Sequence, residues 1–406
     1  MNVNIPFYIW MLPAAMIVVA VLAFLIGTMP WRRIIRDIPT PPDDSGEEGE
    51  KAPRLTVVVY TEDTDDEIVD CVEQLVRQEC DAFEVVVVCH ANMESRNMLA
   101  GRLAAYENVY VTFIPPGSHN LSERKLAITL GLKAAKGDVV LTTTTNIRIP
   151  SPHWLEEMRA PFADPQVEFV LGYSIQDFTE MKGFGRWYRQ FDTLLYSAAW
   201  IGSALGRRPY RGDGYNLAFR RESFFWRRGY ASTVYLHYGD DDLFVKEEAT
   251  AENTRVVIND DTIITSCWDG MADKMWRLRK ERYNFTSRWL PKGPFLRIGF
   301  LSTCQWVMLL LLAASLALSI ISLASPGAAG ISLPTVGAIV LMAASSAFWL
   351  AFQGLQIWRY RAMAARLHAV RLWFAVPLFL LFHPLFNAVF RMRHHSTRQR
   401  FFTWRR

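Results

Sequence analysis

Three long hydrophobic blocks without charged side chains dominate the pattern of the chain. Residues 1–31 carry no charge, 61 uncharged residues separate Arg297 from Arg359, and a third uncharged block runs from Leu372 to Phe390. A helix needs about 20 apolar residues to cross a hydrocarbon core of roughly 30 Å. The pattern predicts one span within 1–31 and two within 295–358. In the third block, 372–390, the prolines favour a re-entrant or interfacial segment, and a fourth crossing is the alternative.

A segment with a different pattern, 54–294, follows a polar linker at 32–53. Its first half alternates short β-branched runs with stretches of helical period, which predicts an α/β domain with a mostly parallel sheet covered on both faces. The predicted strands are Leu55–Tyr60, Glu84–Val88, Val109–Ile114 and Asp138–Thr143. The predicted helices are Asp65–Arg77, Glu94–Tyr106 and Ser122–Ala135. Beyond Pro150 the pattern predicts a helix at Pro152–Ala160, a strand at Val167–Ile175 and an aromatic-rich helix at Phe184–Ala204.

Charge is segregated along the chain although the net charge is only +4. Residues 271–406 hold 18 Lys and Arg against 2 Asp and Glu. Arginines that alternate with long apolar blocks favour anionic lipid over nucleic acid as their partner. Basic residues beside the first and second spans predict that 54–294 is cytoplasmic. On the same grounds 359–371 is expected to be an interfacial basic amphipathic helix, and 391–406 a basic cytoplasmic tail.

Candidate binding residues follow the predicted strands, because ligands of parallel sheets bind where the carboxyl ends of the strands diverge. Thr61 and Glu62 follow the first strand, and Thr144 and Asn146 follow the fourth. We therefore expect these residues to face a common ligand.

Several motifs occur in a familiar order. They are Gly137-Asp138-Val139-Val140-Leu141, Gly212-Asp213-Gly214, Gly239-Asp240-Asp241-Asp242-Leu243 and Arg279-x-x-Arg282-Tyr283. Within a frame of membrane spans, this order resembles the bacterial membrane-anchored glycosyltransferases of family 2, whose catalytic domain has the GT-A fold. The resemblance covers roughly residues 53–294 and extends to the flanking spans.

The acidic motif resembles the family's catalytic motif, so the resemblance implies catalytic roles for Asp240, Asp241 and Asp242. Asp240 aligns best with the base that deprotonates the acceptor hydroxyl. Adjacent carboxylates repel, which raises the pKa of at least one of them. The alternative interpretation is a helix N-terminus, where acidic residues are favoured in any protein.

The other matching motifs imply contacts with the acceptor and the diphosphate. Arg279, Arg282 and Tyr283 resemble the family motif (Gln/Arg)-x-x-Arg-Trp, and the spacing places both guanidinium groups on one helical face. Gly212 and Gly214 resemble a loop that shapes the acceptor side of the cleft. A basic juxtamembrane helix and a plain turn are the respective alternatives.

The donor side departs from the family pattern. The family's Asp-x-Asp, which holds Mg²⁺ or Mn²⁺, is replaced by Thr144-Thr145-Asn146. Hard cations prefer charged oxygen ligands, so the sequence disfavours a metal cofactor, and Asn146 is at best a weak metal ligand. Fixed cations could neutralise the leaving diphosphate instead, and Arg124, Lys125 and Arg148 are the candidates.

The resemblance implies an inverting transferase of the bacterial inner membrane, multi-pass and with its catalytic domain in the cytoplasm. Its implied partners are a nucleotide-sugar donor, a lipid-linked or polysaccharide acceptor of the cell envelope, and a membrane with anionic lipids. Partner subunits are left open, and nucleic acid is not expected. The alternative is a pseudo-glycosyltransferase that keeps the fold and the acceptor cleft and serves as a scaffold subunit in envelope assembly.

Overall fold

The computed structural model describes residues 10–37, 53–61, 66–89, 93–115, 122–324 and 334–394. Glu62, most of the linker and the tail beyond residue 394 lie outside the described residues. The strands are β1 Leu55–Thr61, β2 Phe83–Cys89, β3 Val109–Phe113, β4 Val139–Thr144, β5 Ile147–Arg148, β6 Phe169–Leu171, β7 Ser174–Gln176, β8 Leu217–Arg220, β9 Thr254–Val256 and β10 Ile264–Ser266. The α-helices are α1 Met11–Leu22, α2 Met29–Arg36, α3 Asp66–Val76, α4 Met93–Arg102, α5 Glu123–Ala134, α6 Trp154–Arg159, α7 Gly183–Ala204, α8 Arg221–Trp226, α9 Asp242–Glu248, α10 Ala272–Thr286, α11 Lys292–Ala324, α12 Thr335–Arg366 and α13 Ala375–His394.

A seven-stranded sheet forms the centre of the domain, in the order β3-β2-β1-β4-β8-β6-β9. β1 pairs in parallel with β2 and β4, and β2 pairs in parallel with β3. The pairs β4-β8 and β6-β8 are antiparallel, and β6-β9 is parallel. Central strands of such a sheet are buried on both faces and therefore consist of continuous apolar runs. The predicted α/β class, with a mostly parallel sheet, is confirmed.

Alternate residues of β1 pack into two different cores. Val58 belongs to the core under α5, where a Cβ on Gly131 would lie 2.5 Å from a Val58 methyl group. Val57 and Val59 belong to the opposite core, which includes Ile68 of α3. Helices thus cover both faces of the sheet. A ligand can approach the sheet at the edge where the strands end.

The single strand predicted at Val167–Ile175 is wrong, because the chain leaves the large sheet at Gly172. The Gly172 amide donates to the Asn216 carbonyl at 2.9 Å, and a Cβ on Gly172 would lie 2.5 Å from Asn216 Cγ. Residues before it form β6, and residues after it form β7 in a separate three-stranded sheet of order β5-β10-β7. This small sheet forms one wall of the candidate site.

Three of the helices are long and apolar enough to span a membrane: α11, α12 and α13. α1 and α2 pass the same test as one bent pair, with an angle of 56° between them. The bend follows a π-helical turn, Ala23–Gly27, and Pro30 lies in the first turn of α2. Both features interrupt regular helical hydrogen bonding, so they account for the bend.

Two predicted boundaries in this region are corrected by the helices. α12 continues without a break to Arg366, so 359–366 is its final part and not a separate amphipathic helix. A turn at 367–374 then leads into α13, which is helical across Pro384. The last block is therefore one 20-residue helix instead of a broken segment.

Candidate functional site

The carboxyl ends of β1 and β4 lie side by side, since Tyr60 pairs with Thr144 in the parallel register. Thr61 and Thr144 are both buried there. Asn146 lies in the turn between β4 and β5, and its side-chain amide donates to the carboxylate of Glu67 on α3. The predicted donor residues thus occupy the strand ends, and a contact between Asn146 and Glu67 was not anticipated.

The described residues at these strand ends do not fit Mg²⁺ or Mn²⁺. The threonines offer neutral hydroxyls, and the Asn146 amide is engaged with the carboxylate of Glu67. Among the described residues, no group of three His, Cys, Asp or Glu side chains is arranged to hold a metal ion. Hard cations need several charged oxygen ligands, and the described part of this donor set supplies too little charge.

The acidic triplet begins α9, and Gly239 makes the preceding turn. Gly239 has φ +99°, and a Cβ there would lie 2.6 Å from a Leu243 methyl group. Only glycine adopts this conformation without strain. Asp241 is the N-cap of α9, and its carboxylate accepts the Asp242 amide hydrogen at 2.7 Å. The interpretation of the triplet as a helix N-terminus is therefore correct for the backbone, but the three carboxylates have different partners.

Asp240 is buried between two guanidinium groups. Its carboxylate lies 2.6 Å from Arg124 Nε and 2.8 Å from Arg282 Nη2. Burial by itself raises the pKa of Asp240, but Arg282, Arg124 and the Lys125 ammonium together lower that pKa to about 2. Asp240 is therefore a permanent anion that holds two cations in place.

Asp241 is partly exposed and lines the cleft. Burial and the neighbouring carboxylates of Asp240 and Asp242 raise its pKa to about 6. Its second oxygen accepts the Gly214 amide hydrogen at 3.3 Å, and a Cβ on Gly214 would lie 3.0 Å from Asp241 Cβ. Glycine at this position thus permits the loop to contact the acidic motif. Gly212 packs against Val245 and Leu217 instead.

Asp242 joins α9 to α10. Its carboxylate lies 3.0 Å from Arg211 Nη2 and accepts the hydroxyl hydrogen of Thr286. The Arg211 guanidinium lies 3.8 Å from the ring centroid of Tyr283. Both charges are buried, so a change at either residue would leave the other without its partner. Asp242 therefore ties the acidic motif to α10, and it is not among the residues that line the cleft described below.

A cleft of about 430 Å³, including space open to solvent, lies between α10, the small sheet and the acidic motif. Arg279, Arg282 and Tyr283 of α10 line it together, as the motif predicts. Its remaining walls include Asp213, Asp241, Tyr215 and Trp268. The Arg279 guanidinium lies 5.1 Å from the Tyr215 ring centroid, so cations and aromatic rings alternate in the wall.

A buried ionic cluster fixes α10 against α7 and α13. Asp192 of α7 lies 2.6 Å from Lys280 Nζ and 3.2 Å from His383 Nε2, and it accepts the Trp276 indole hydrogen at 3.2 Å. The Lys280 ammonium also lies 5.0 Å from the Trp276 ring centroid. Because Lys280 is next to Arg279, this cluster determines where the cleft arginines lie.

Two of the predicted donor-binding cations do not line this cleft. Lys125 is completely buried and donates to the backbone carbonyls of Thr233 at 2.6 Å and Leu236 at 3.1 Å. Burial lowers its pKa to about 8. Arg148 is exposed on β5 and is not among the residues that line the cleft. The prediction that Lys125 binds the donor is wrong, because the ammonium supports the 233–236 loop.

The motifs alone do not reveal the contacts of five residues in or beside the cleft: Arg124, Asp192, Arg211, Tyr215 and Trp268. The sequence predicts Arg124 as a donor-binding cation, yet in the structure it bridges Asp240 and the Gly214 carbonyl. Tyr215 follows the glycine loop, which is a signal that the sequence carries. Asp192 and Arg211 lie in segments without a motif, so only the folded structure reveals their partners.

No family model and no curated protein matches the chain. Among solved structures, the mannosyltransferase PcManGT from Pyrobaculum calidifontis in complex with GDP-Man and Mn²⁺ is 20% identical, covers 88% of this chain and 99% of its own, and has a TM-score of 0.49. S. aureus TarS is 15% identical over 77% of this chain and 49% of its own, with a TM-score of 0.38. Glucosyl-3-phosphoglycerate synthase from Mycobacterium tuberculosis is 12% identical over 54% and 72%, with a TM-score of 0.34. Because these identities and TM-scores are low, the function proposed below rests on the residues of the cleft.

Proposed function

We propose that this chain is a membrane-bound inverting glycosyltransferase of GT-A fold that transfers a sugar from a nucleotide-sugar donor without a metal ion. The observation that carries the proposal is Asp241, a carboxylate with its pKa raised to about 6, at the wall of a cleft lined by Arg279, Arg282 and aromatic rings. Acceptor activation needs a base, and departure of a diphosphate needs cations. Aromatic rings in the same cleft supply stacking surfaces for a sugar.

The catalytic base in this proposal is Asp241 and not Asp240. Both oxygens of Asp240 are occupied by guanidinium groups, whereas Asp241 faces the cleft. A base whose pKa is near the working pH accepts a proton more effectively than one with a pKa of about 2. Asp241 would take the proton of the acceptor hydroxyl as its oxygen bonds to the anomeric carbon. The bond from that carbon to the diphosphate oxygen breaks on the opposite face, which inverts the configuration.

The cleft arginines would meet the charge of the leaving diphosphate. Arg282 is already oriented by Asp240, and Arg279 has a hydroxyl partner in Ser174 Oγ at 3.4 Å. Among the described residues, Arg279 forms no ion pair with a carboxylate. A guanidinium group binds two phosphate oxygens at once, so a pair of them supplies part of the neutralisation that a divalent ion gives elsewhere.

The acceptor in this proposal is a glycolipid or polysaccharide of the bacterial cell envelope, approached from the cytoplasmic face of the inner membrane. Support comes from the apolar helices α11, α12 and α13, which are long enough to span a bilayer. Arg32, Arg33 and Arg36 lie at the end of the bent helix pair, and Arg297 lies in the first turns of α11. Basic residues beside spans favour the cytoplasmic side and anionic lipids.

The test is a transfer assay on the full chain in nanodiscs with a total lipid extract as acceptor and a panel of radiolabelled uridine and guanosine diphosphate sugars. The proposal expects label in the lipid or polymer fraction, also in the presence of a chelator. Asp241→Asn should lose the transfer, whereas the exposed control Arg77→Gln should keep it. No incorporation with any donor would contradict the proposal.

A second candidate function is a pseudo-glycosyltransferase that serves as a scaffold subunit. It is favoured by the state of the predicted donor-binding residues: the Asn146 amide donates to Glu67, and the Lys125 ammonium donates to a backbone carbonyl inside the fold. It predicts a stable association with other envelope proteins and no donor binding. Calorimetry with nucleotide sugars separates the two functions.

A further inference from the structure

A second cavity lies next to the catalytic cleft, between β7, α7 and the turn after α12. It measures about 670 Å³, including space open to solvent. Gln176 lines both this cavity and the cleft. A ligand that occupies the cavity would therefore be a direct neighbour of the reacting groups.

Two glutamine side chains that line the cavity have amide carbonyls to which none of the described residues donates. Gln176 is buried and donates to the Ala272 carbonyl at 2.9 Å, but its Oε1 accepts from none of the described residues. The buried Oε1 of Gln190 on α7 is in the same condition among the described residues. A buried acceptor that loses its bonds to water and gains no donor destabilises the fold. A ligand that brings hydroxyl groups would satisfy both carbonyls.

The guanidinium group of Arg186 and the carboxylate of Asp177 both line the cavity. Arg186 lies one helical turn before Gln190 on α7, and no hydrogen bond or ion pair joins it to another described residue. A guanidinium group binds anions, and carbonyls that lack a donor accept hydrogen bonds from hydroxyl groups, so together they suit an anion that carries hydroxyl groups. The remaining walls combine apolar side chains, including Tyr173, Phe178 and Leu194, with the carboxylate of Asp177 and the hydroxyl groups of Thr179, Thr193 and Thr265.

The position of the cavity connects it with the membrane. His368, Ala369 and Val370 line one side, and they form the turn between α12 and α13, two helices long and apolar enough to span a bilayer. The headgroup of a lipid in that bilayer lies at the level of such a turn, whereas its chains lie beside the helices. Gln176 is the residue that the linings of this cavity and the cleft share.

We propose that this second cavity binds the phosphorylated polyol headgroup of a lipid acceptor, with the phosphate on Arg186 and the hydroxyl groups on Gln176 and Gln190. The assignment to an acceptor rests on the proposed function, and it narrows the acceptor to phospholipids or glycolipids with a hydroxylated headgroup. The reacting hydroxyl would extend past Gln176 towards Asp241. Free polyol phosphates share this chemistry, so the test separates the two sources.

The test is calorimetric binding to the full chain in phosphatidylcholine nanodiscs, with dihexanoylphosphatidylglycerol, dihexanoylphosphatidylcholine, glycerol 1-phosphate and inorganic phosphate as probes. Phosphatidylglycerol should bind at least about ten-fold more tightly than phosphatidylcholine, a difference of about 1.4 kcal/mol. Glycerol 1-phosphate should bind more tightly than phosphate, because it supplies hydroxyl groups. If glycerol 1-phosphate binds as tightly as phosphatidylglycerol, the headgroup chemistry is supported, but the proposal that the natural ligand is a lipid is overturned.

Variants test the residues. Arg186→Gln should weaken binding of phosphatidylglycerol by about ten-fold or more. Gln190→Leu should weaken binding and also raise the melting temperature, because it removes a buried carbonyl without a donor. Lys182→Gln, which removes an exposed cation just before α7, is the matched control and should leave the affinity unchanged.

Equal binding of both lipids, or full affinity in a folded Arg186→Gln protein, would overturn the proposal. These measurements need no sugar transfer. If the polyol probes fail while a nucleotide sugar binds, only the second cavity is misassigned. If the polyol probes bind while every nucleotide sugar fails, the proposed transferase function is wrong and the site remains.

Discussion

Adjacent aspartates in the acidic motif should respond in opposite ways to the same substitution. Asp241 has its pKa raised from 3.8 to about 6, so its ionised form opposes folding. The shift is about two units at about 1.36 kcal/mol each. Because Asp241 is partly exposed, solvent screening reduces the effect to about 1–2 kcal/mol. Asp241→Asn should therefore raise the stability at pH 8, and the gain should shrink as the pH falls from 6 towards 4.

Asp240→Asn should do the reverse. It removes the anion between Arg124 and Arg282 and leaves two buried guanidinium groups without a counter-charge. Breaking a buried ion pair by removing one partner costs about 3–5 kcal/mol. The stability that Asp240 supplies is present above pH 3.8 and is lost as the pH falls towards its pKa of about 2.

The assay is the melting temperature of the full chain and both Asn variants in nanodiscs, followed at pH 8 and pH 5, together with sugar transfer. Asp241→Asn should melt higher than the natural protein and lose transfer by about 10²–10⁴-fold, the usual contribution of a general base. Asp240→Asn should melt lower. If Asp241→Asn lowers the melting temperature as much as Asp240→Asn, or keeps transfer, the assignment of the two carboxylates is refuted.

Three further predictions use the same site. Below about pH 6 the transfer rate should fall as one group takes up a proton, because protonated Asp241 can no longer act as a base. A transfer rate that stays constant between pH 5 and 8 would exclude Asp241 as the base. Lys280→Gln should destabilise the chain by about 3 kcal/mol, as expected when one partner of a buried ion pair is removed. It should also raise the KM for the donor, because α10 carries Arg279 and Arg282. An unchanged melting temperature would contradict the proposed role of the Asp192–Lys280 pair. The double substitution Thr144→Asp with Asn146→Asp should create calorimetric Mn²⁺ affinity beside Glu67, and failure in a folded protein would show that these strand ends do not face a common site.

The fold of the first half could be predicted because its central strands are buried on both faces. β1, β2 and β4 are rich in β-branched residues and buried along almost their whole length, and a helix with a clear period, α3, follows β1. The break at Gly172 was invisible, because it depends on contact with Asn216, 44 positions further along the chain. The helix continuing past Arg359 was missed for a similar reason, since Arg359 donates to the Phe24 carbonyl at 2.9 Å and is buried by that contact.

The site was predictable where a motif brings its own residues together. The spacing of Arg279, Arg282 and Tyr283 places all three on one wall of the cleft. The separate roles of Asp240 and Asp241 were not predictable, because they depend on Arg124 and Gly214 from distant segments. The burial of Lys125 was hidden for the same reason, since its partners are backbone carbonyls at 233 and 236.

Direct binding of the donor is the most direct test of the claim that this cleft performs sugar transfer without a metal. Uridine and guanosine diphosphate sugars would be titrated calorimetrically into the full chain in nanodiscs, once with Mn²⁺ and once with a chelator. The account predicts that at least one donor binds, that the chelator leaves its affinity unchanged, and that Arg279→Gln weakens it. Binding only in the presence of Mn²⁺, or no binding of any donor, would contradict it.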